Sequence, residues 1–535
     1  MQAFGLSCQG GLNTNLNQFQ MLEQPGFATE LQNFEVDPDG GYRRINGFTS
    51  YGGGSAARPN SSNSILGLFV YGDGVIACSG TNIYFTLDGT SWLQINRSSV
   101  SGSGDNYSTF TGRSTAARTS QGQATFALYE GDSTYGEVVI TDKGSGVKPA
   151  LFKMTGTGAL ADRTFFYEEV TVSGTHYPKF CTIHDKHLVV AGAATALNTI
   201  YYSGTSDINS FSSTGSGSIV LDDQVVGLKS FRGDLIIFCK NSIYKLININ
   251  DSSNIAIVPI TQNVGCLDGH SIQEIGGDLI FLSPDGFRLV AGTARIGDVE
   301  LSSVSRQIQS IVSSIAANIN TYVISSAVLR SKSQYRLFYS SSSGSSTTAK
   351  GLIGTITPRG FEWSETIGIQ AHGFTSGFDN DSVEQVYHGD KDGYVYNHNT
   401  GNDFNPAGSS ANIDARYKTP NLDFGDAGTL KTLHYTKISF TPEGTVQPTL
   451  KITYDFDDTN RPQPPNYTLD SIPTPAVFGD STFNTAVFGA SQDPMARQAV
   501  QGSGHNIAFK IFSQDTNAPY SINGFYVDYR PSGRR

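Results

Sequence analysis

The chain has 535 residues, an apolar fraction of 38%, a charged fraction of only 16% and a formal net charge of −11. The length allows two or three domains, or one large repeat assembly with an appendage. The acidic balance argues against wrapping around nucleic acid, which requires clustered Lys and Arg. The 59 Gly, 25 Tyr and 32 Phe are typical of many short strands joined by tight turns, so the composition predicts an all-β protein.

We expect neither a targeting segment nor a membrane segment. The first residues lack the basic stretch and apolar run of a signal peptide, and no apolar stretch reaches the roughly 18 residues of a membrane helix. The five cysteines are odd in number and scattered, without a CxxC pair. They are therefore expected to be small buried side chains of a protein made in a reducing cytoplasm.

The chain opens with a polar arm, Gly10–Gln24, followed by "ELQNFEVDPDGGYRRINGF", Glu30–Phe48. The "DPDGG" within it could be a calcium loop, a phosphate cradle or a turn. A calcium loop that started at Asp37 would need a ligand at its fifth position and Gly at its sixth, where the chain has Gly41 and Tyr42. The phosphate motif GxxxxGK is absent. We therefore predict a hairpin turn, preceded by an arm that is free to reach a neighbouring molecule.

One hairpin unit recurs along the chain, with a Gly-Asp turn, a short apolar strand, a second turn and another strand. The intervals are mostly about 45–60 residues, the size of one four-stranded blade. A blade cannot bury both faces alone, so blades stack and close into a ring. This pattern predicts a β-propeller of six or seven blades over residues 55–412. The copies are Val70–Thr86, Tyr135–Met154, Ile183–Gly204, Ser230–Leu246, Glu274–Val290 and Gln385–His398.

Three segments interrupt the repeat. Ser101–Gln123 and Ser340–Ala349 are rich in Ser, Thr and Gly, which indicates projecting loops. Ser303–Asn320 has apolar residues at helical spacing, which predicts one amphipathic helix packed against the blades. The apolar positions of this helix are Ile308, Ile311, Val312, Ile315 and Ile319.

From Ile413 the repeat stops and long segments alternate at period two, interrupted by a Pro-rich stretch. This change predicts a separate antiparallel β-domain with one long loop. The predicted organisation is thus an N-terminal arm and first turn at residues 1–54, a propeller at 55–412 and a C-terminal β-domain at 413–535.

Three motifs could be taken for functional sites but fit turns of the repeat. Thr86–Trp92 is similar to the Asp-box turn of sialidase-type propellers, although it is one residue short between Asp and Trp. Arg232–Asp234 reads "RGD", yet it occupies the repeated Gly-Asp turn. His388–Gly393 contains two carboxylates but has the same turn chemistry. We interpret all three as structural turns.

Two further groups carry titratable side chains. His184 and His187 lie at i and i+3 without a third ligand nearby, so a solvated turn is expected rather than a metal site. The cluster of Asp455, Asp457 and Asp458 has no identifiable partner, which favours a solvated acidic face over a catalytic pair. No GxSxG, HExxH or Cys/His arrangement occurs. The sequence therefore predicts no catalytic, cofactor-binding or metal-binding residue, no cofactor and no enzymatic activity.

The order of several motifs resembles a known family. "GGLNTN" at Gly10–Asn15, followed by Glu30–Phe48, is similar to the opening of tail nozzle proteins of short-tailed DNA phages, also called tail tubular protein B or packaged-DNA stabilisation proteins. The likeness spans Gly10 to Arg535 and depends on order and spacing rather than on one motif. Further similar stretches are Lys179–Gly192, Val225–Leu246, Gly276–Val290, Tyr387–Gly401 and Ile522–Arg535.

The resemblance implies a propeller subunit of a homohexameric ring in the virion tail, below the portal and its adaptor ring. Such a ring retains the packaged genome and conducts it during ejection. The implied partners are other copies of the chain, the adaptor ring, tail fibres, and genomic DNA that passes without specific binding. Six copies of −11 would carry about −66, and a lumen of that sign would repel DNA and let it slide. The exceptions Arg43, Arg44, Arg534 and Arg535 are then expected at subunit contacts.

Two alternatives remain open at this point. The chain could be a receptor-binding or glycan-binding propeller, or a tail-fibre adaptor. It could also be a secreted glycosidase, which would require a carboxylate pair or an arginine cluster at the central depression of the propeller.

Overall fold

The computed structural model describes residues 2–53, 58–59, 63–96, 122–131, 135–144, 146–174, 176–290, 303–472 and 495–534. Over these ranges the protein is almost entirely β-structure. The two α-helices within them are α1, Gln18–Leu22, and α2, Gln309–Ala317. Short 3-10 helices occur at Leu160–Asp162, Gly269–Ser271, Arg306–Ile308, Arg330–Lys332, Ser346–Thr348, Pro406–Gly408 and Asp455–Asp457.

The N-terminal segment contains five short strands that pair with distant parts of the chain. They are β1 Gln2–Ser7, β2 Glu30–Gln32, β3 Phe34–Val36, β4 Tyr42–Arg44 and β5 Phe48–Ser50.

The middle of the chain forms a propeller with six four-stranded blades and one three-stranded blade among the described residues. The first three blades are β6 Ile65–Tyr71, β7 Gly74–Ser79, β8 Asn82–Thr86 and β9 Leu93–Gln94; β10 Ala124–Tyr129, β11 Glu137–Asp142, β12 Ala150–Thr155 and β13 Thr164–Glu169; and β14 Phe180–His184, β15 His187–Ala193, β16 Ala196–Tyr202 and β17 Gly217–Val220. The fourth and fifth are β18 Val225–Phe231, β19 Asp234–Cys239, β20 Ile243–Ile247 and β21 Ala256–Thr261; and β22 Gln273–Ile275, β23 Asp278–Ser283 and β24 Gly286–Leu289. The sixth and seventh are β25 Tyr322–Leu329, β26 Gln334–Ser341, β27 Lys350–Thr357 and β28 Gly360–Ile367; and β29 Gly373–Phe378, β30 Glu384–Gly389 and β31 Val395–His398.

The ring is closed by a strand from the N-terminal segment. β5 pairs antiparallel with β31 and supplies the fourth strand of blade seven, with Phe48 opposite His398. The innermost strand of that blade, β29, in turn contacts β6, the innermost strand of blade one. Because β5 and β31 are far apart in sequence, the first and last parts of the propeller hold each other in place.

Each interface between neighbouring blades has its own hydrophobic core. For example, Ile76 and Phe85 of blade one pack with Phe152 of blade two, and Leu235 of blade four packs with Val189 of blade three. Apolar strands supply both faces of a blade, as in β7, whose six residues are all buried. The predicted all-β propeller is confirmed.

The C-terminal part adds antiparallel sheets, as predicted. Its strands are β32 Ile413–Lys418, β33 Thr429–Pro442, β34 Thr449–Tyr454, β35 Tyr467–Thr468, β36 Met495–Ala499, β37 Ser503–Gly504, β38 Ile507–Asp515 and β39 Tyr520–Arg534. One sheet follows the order β3-β4-β39-β33-β36, with β1 paired to β39 and β37 paired to β33. The N-terminal segment therefore supplies three strands of this sheet.

The second C-terminal sheet is continuous with blade six. β28 pairs parallel with β2 at Gln32 and Glu365, and β2 pairs antiparallel with β32 at its other edge. The resulting sheet of nine strands runs from β25 to β35. A single hydrophobic cluster joins residues of blades five and six to both C-terminal sheets, so the two parts share a core.

The expectation of a free N-terminal arm is wrong for its first residues. The backbone N–H of Gly10 donates to the Glu362 carboxylate at 2.8 Å, and that of Leu12 donates to the Trp363 carbonyl at 2.7 Å. Gly11 has φ +73°, and a Cβ there would lie 2.8 Å from the Trp363 nitrogen. Only glycine allows this close approach, so the start of the arm is built to lie against β28.

The predicted amphipathic helix is present. The 3-10 turn Arg306–Ile308 leads directly into α2, and Ile308, Val312 and Ile315 are buried in the core shared by blades five and six. The loop predicted at residues 101–123 lies outside the described residues, apart from 122 and 123. The other predicted loop, Ser340–Ala349, begins in the last two residues of β26 and continues as a turn that contains a short 3-10 helix.

Candidate functional site

The propeller axis holds a cavity of about 190 Å³. All seven innermost strands contribute to its wall, and four of the lining residues are glycines. A Cβ on Gly67 would lie 2.7 Å from Cβ of Ala124, and one on Gly227 would lie 2.5 Å from Cδ1 of Ile272. Neighbouring blades can therefore approach the axis only because no side chain stands at these positions.

Polar side chains cross the axis at the end where β10 begins. Nζ of Lys143 lies 2.8 Å from the Asp268 carboxylate, and Nε2 of Gln123 donates to the Ile324 carbonyl at 2.6 Å. These bonds join blade two to blades five and six, which are not its neighbours in the ring. We call Gln123, Lys143, Asp268 and His270 the axial plug.

The two charged residues of the axial plug, Lys143 and Asp268, form an ion pair with each other. Burial raises the pKa of Asp268, but the nearby Lys143 and His270 outweigh burial and hold this pKa well below its usual range. Burial and Lys143 lower the pKa of His270, so its imidazole is neutral at pH 7. The Nε2 atom of His270 lies 3.1 Å from the Ala124 carbonyl, which adds a further link between blades five and two. The plug therefore closes one end of the cavity with a paired charge.

The cavity does not contain the groups that the glycosidase alternative requires. Among the described residues that line it there is neither a carboxylate nor an arginine. The formally charged lining residue there is Lys229 on β18, and the rest of the polar wall consists of hydroxyls, one amide and two imidazoles.

A second polar cluster lies where the N-terminal segment meets blades six and seven. Glu35 on β3 is buried, and its carboxylate contacts Arg43 at 2.7 Å, Lys332 at 2.7 Å and Arg336 at 2.8 Å. Burial raises the pKa of Glu35, but these cations outweigh burial and lower it to about 2. Arg336 also lies 2.9 Å from Nε2 of His398, at the position where β31 pairs with β5. We call these residues the Glu35 cluster.

The "DPDGG" motif is the predicted hairpin turn. The backbone N–H of Asp37 donates to the Gly41 carbonyl at 3.1 Å, and β3 and β4 on either side pair antiparallel. Gly40 and Gly41 have φ +108° and +104°, which other residues rarely adopt. No group of three potential metal-binding side chains occurs in the part of the chain that is described.

His184 and His187 are buried, so the expectation of a solvated turn is wrong for their side chains. Nδ1 of His187 lies 2.6 Å from the Ser203 carbonyl, and Nδ1 of His184 lies 2.9 Å from Oγ of Ser230. The turn itself is present, since Asp185 and Lys186 have φ +46° and +67°. Both imidazoles fix neighbouring segments of the fold.

The other three turn motifs are confirmed as turns. Arg232 and Gly233 connect β18 and β19 with φ +53° and +84°. The Asp88 carboxylate accepts the backbone N–H of Thr90 at 2.9 Å and thereby stabilises the Asp-box-like turn. Asp390 accepts the N–H groups of Asp392 and Tyr394, each at 2.9 Å.

The acidic cluster near Asp455 is not simply a solvated face. Asp455, Phe456 and Asp457 all have φ between +51° and +63°, and the Asp455 carboxylate accepts the backbone N–H of His505 at 2.8 Å. It also contacts Arg461. The carboxylate therefore stabilises a left-handed turn instead of facing a catalytic partner.

Arg43 and Arg44 make contacts inside the chain, where subunit contacts were expected. Arg44 is fully buried and donates to the carbonyls of Asn517 and Asp515, so it fixes β4 to the segment before β39. Arg43 joins Glu35 to Glu443. The side chains of the expected contact residues Arg534 and Arg535 lie outside the described part of the structure.

Sequence reasoning missed Lys229, the axial plug and the Glu35 cluster. The plug joins blades two and five, the Glu35 cluster joins the N-terminal hairpin to blades six and seven, and no local spacing marks any of these residues. One signal was available, since Gly67 and Gly227 occupy the same position before the Gly-Asp turn of their repeats, and that position faces the axis.

Comparisons with known proteins find only solved structures of low sequence identity and low TM-score. No protein-family model and no curated protein matches the sequence. Among solved structures, an exo-β-1,3-galactanase from Phanerochaete chrysosporium is 8% identical with a TM-score of 0.27, covering 91% of this chain and 100% of that one. The extracellular domain of a one-component system from B. thetaiotaomicron is 11% identical with a TM-score of 0.41, covering 82% and 56%. BamB from Moraxella catarrhalis is 15% identical with a TM-score of 0.32, covering 62% and 92%.

One expectation is corrected by these comparisons. The sequence predicted a protein without enzymatic activity, but the similar structures include a glycoside hydrolase, the exo-β-1,3-galactanase. That expectation is therefore withdrawn. Two structures of that galactanase give TM-scores of only 0.27 and 0.26, and these scores assign no reaction to this chain. Over the described ranges, no helix is long and apolar enough to cross a membrane.

Proposed function

We propose that this chain is a structural subunit of a virion tail nozzle. Six copies form a ring below the portal and adaptor rings, retain the packaged DNA and conduct it during ejection. The observation that carries the proposal is the order of motifs from Gly10 to Arg535, which resembles that family along nearly the whole chain. The propeller with added antiparallel sheets agrees with the fold that this resemblance implies.

The interlocked termini suit a subunit that must withstand the pressure of packaged DNA. β5 closes blade seven, β2 joins blade six to β32, and β1 pairs with β39. A force applied to either end of the chain therefore acts on strands of both the propeller and the C-terminal sheets. A subunit built in this way transmits force without one part separating from another.

The axial plug supports a route for DNA that lies outside the propeller. Lys143, Asp268 and Gln123 cross the axis of a cavity of about 190 Å³, which is far too small for a duplex. In the proposed ring, DNA passes between subunits and not through a blade ring. The net charge of −11 per subunit supports passage without specific binding, because like charges repel the phosphates.

Labelling of virus particles tests this function. An antibody against the chain would be applied to purified tailed particles from the source culture and located by electron microscopy. We expect the label on the tail axis, below the head. Label on peripheral fibres would favour the receptor-binding alternative, and absence from particles would contradict the proposal.

A parallel assay on the purified chain addresses the glycosidase alternative. The chain would be incubated with a β-1,3-galactan and with aryl glycosides, and released reducing sugar would be measured. Hydrolysis that is lost on a single Asp-to-Asn change would favour the glycosidase alternative over the nozzle.

A further inference from the structure

Lys229 is an unpaired cation in the wall of the central cavity. It lies on β18, and its ammonium makes no hydrogen bond or ion pair with any residue in the described ranges. Lys229 is half-buried, and a charge that is partly withdrawn from water is stabilised by a partner of opposite sign. Burial lowers the pKa of Lys229, Glu274 partly offsets this effect from a distance, and Arg330 adds to it. The environment therefore favours a bound negative charge.

The neighbouring strands present free hydroxyl groups to the same cavity. Thr125 on β10 and Thr182 on β14 line it, and within the described ranges neither hydroxyl has a hydrogen-bond partner. These threonines and Lys229 come from the innermost strands of three consecutive blades, two to four. One ammonium and two hydroxyls are thus available to a ligand at the axis.

Other polar groups of the wall are already engaged and uncharged. Ser325 donates to the Ala371 carbonyl at 2.6 Å, and Gln273 donates to the Ser326 carbonyl at 2.8 Å. Burial lowers the pKa of His372 to about 4, so this imidazole is neutral at pH 7. With no carboxylate among the described lining residues, the cavity has a local charge opposite to that of the whole chain.

The size of the cavity limits the ligand. A volume of about 190 Å³ is below the roughly 300–1,000 Å³ of pockets for drug-sized molecules. It accommodates an anion of a few non-hydrogen atoms and neither a nucleotide nor an oligosaccharide. The axial plug closes one end, so a ligand would enter from the end where β18 terminates.

We propose that the central cavity is a binding site for one small oxyanion, with Lys229 as its ion-pair partner and Thr125 and Thr182 as hydrogen-bond donors. Phosphate and short carboxylates share the required chemistry. A bound oxyanion would connect blades two, three and four at the axis and would stabilise the ring by mass action.

Titration with defined anions tests the site. Inorganic phosphate and acetate would be titrated separately into the full chain by calorimetry, with sodium chloride at matched ionic strength. We expect saturable binding of at least one of the two, and the two titrations distinguish a phosphate site from a carboxylate site. Lys229→Met should weaken binding at least tenfold. Lys240→Met is the matched control, because Lys240 is an exposed lysine of the same blade. The Lys240→Met variant should bind the anion with the same affinity as the unaltered protein.

A second measurement uses only the unaltered protein, in case Lys229→Met does not fold. Lysines would be reductively methylated with and without the anion, and the modification of Lys229 and Lys240 would be compared by mass spectrometry. We expect the anion to slow modification of Lys229 at least fivefold and to leave Lys240 unaffected. No saturable binding of either anion, or equal modification of Lys229 with and without it, would overturn the proposal and leave a cavity that holds water only.

Discussion

At the scale of single residues, the buried Glu35 is the shared ion-pair partner of three cations, of which Arg336 is buried and Arg43 and Lys332 are half-buried. Its carboxylate contacts Arg43 on β4 and both Lys332 and Arg336 in blade six. Removing one partner of a buried ion pair leaves uncompensated charge, which typically costs about 3–5 kcal/mol. Glu35 therefore stabilises the junction of the N-terminal hairpin with blade six.

Glu35→Gln should lower the thermal unfolding midpoint at neutral pH, by an amount that corresponds to about 3 kcal/mol or more. Glu443→Gln is the matched control, since Glu443 also contacts Arg43 but has a side chain that is 44% exposed. Such an exposed pair is worth about 1 kcal/mol or less. Equal effects of the two changes in calorimetry would contradict the role given to Glu35.

The same change has a defined pH dependence. The pKa of folded Glu35 is lowered from 4.5 to about 2, so its stabilising contribution is present above pH 4.5 and is lost as the pH falls towards 2. The difference in midpoint between the natural protein and Glu35→Gln should therefore stay constant above about pH 5 and shrink between about pH 4.5 and pH 2. A difference that stays constant over this range would show that the carboxylate charge is not responsible.

The Lys143–Asp268 pair can be tested by a double-mutant cycle. Lys143→Met and Asp268→Asn, singly and together, should reveal a coupling of about 1–3 kcal/mol in urea unfolding, because the pair crosses the axis and is mostly shielded from water. Lys153 and Glu137, on adjacent strands of blade two, form the control pair at 2.9 Å. The coupling energy of the control pair should stay below about 1 kcal/mol. If it equalled that of Lys143 and Asp268, the axial position would give the Lys143–Asp268 pair no additional strength.

At the scale of elements, β5 determines whether the propeller is closed. Phe48 on β5 is buried, and its ring lies 4.8 Å from that of His388 and 4.9 Å from that of Tyr396, both in blade seven. The ring of Phe404 also stacks on that of Phe48, with 5.3 Å between the ring centroids. Closure thus depends on side-chain packing as well as on the pairing of β5 with β31.

Phe48→Ala should destabilise the protein by about 3–5 kcal/mol in urea unfolding, the usual cost of truncating a buried phenylalanine. Phe19→Ala is the matched control, because Phe19 is 82% exposed and its loss should change stability by about 0.5 kcal/mol or less. Hydrogen exchange should accelerate first in β29, β30 and β31. Acceleration spread evenly over all blades would contradict a local role in closure.

The elements themselves could be predicted well from sequence, whereas their long-range pairing could not. Gly-Asp turns such as Gly233–Asp234 determine local hairpins, and the apolar spacing of Ile308, Val312 and Ile315 determines a helix face. By contrast, β2 is three residues long and pairs with strands more than 300 positions away. Nothing local distinguishes such a strand from a loop, so the buried path of the N-terminal arm was missed.

The candidate site was less predictable for the same reason. The Gly-Leu pairs at Gly67 and Gly227 indicate close approach of backbones, but they do not show which polar side chains the ring brings together. Lys229 has no sequence neighbour that marks it as unpaired. Only the packing of blades two to four around the axis places it with Thr125 and Thr182.

At the scale of the whole molecule, the proposed function requires assembly into a ring. The subunit is one interlocked body with a closed propeller axis, so the proposed passage for DNA requires an opening between copies of the chain. The net charge of −11 per copy favours passage over binding. Without a ring, the proposed retention and conduction of DNA has no structural basis.

The molar mass and symmetry of the purified chain, alone and with its adaptor ring, test this claim most directly. Light scattering coupled to size exclusion should give roughly six times 57.4 kDa in at least one of the two samples, and negative-stain images of that sample should show six-fold rings with a central opening. A single subunit in both samples, or rings of another symmetry, would contradict the account.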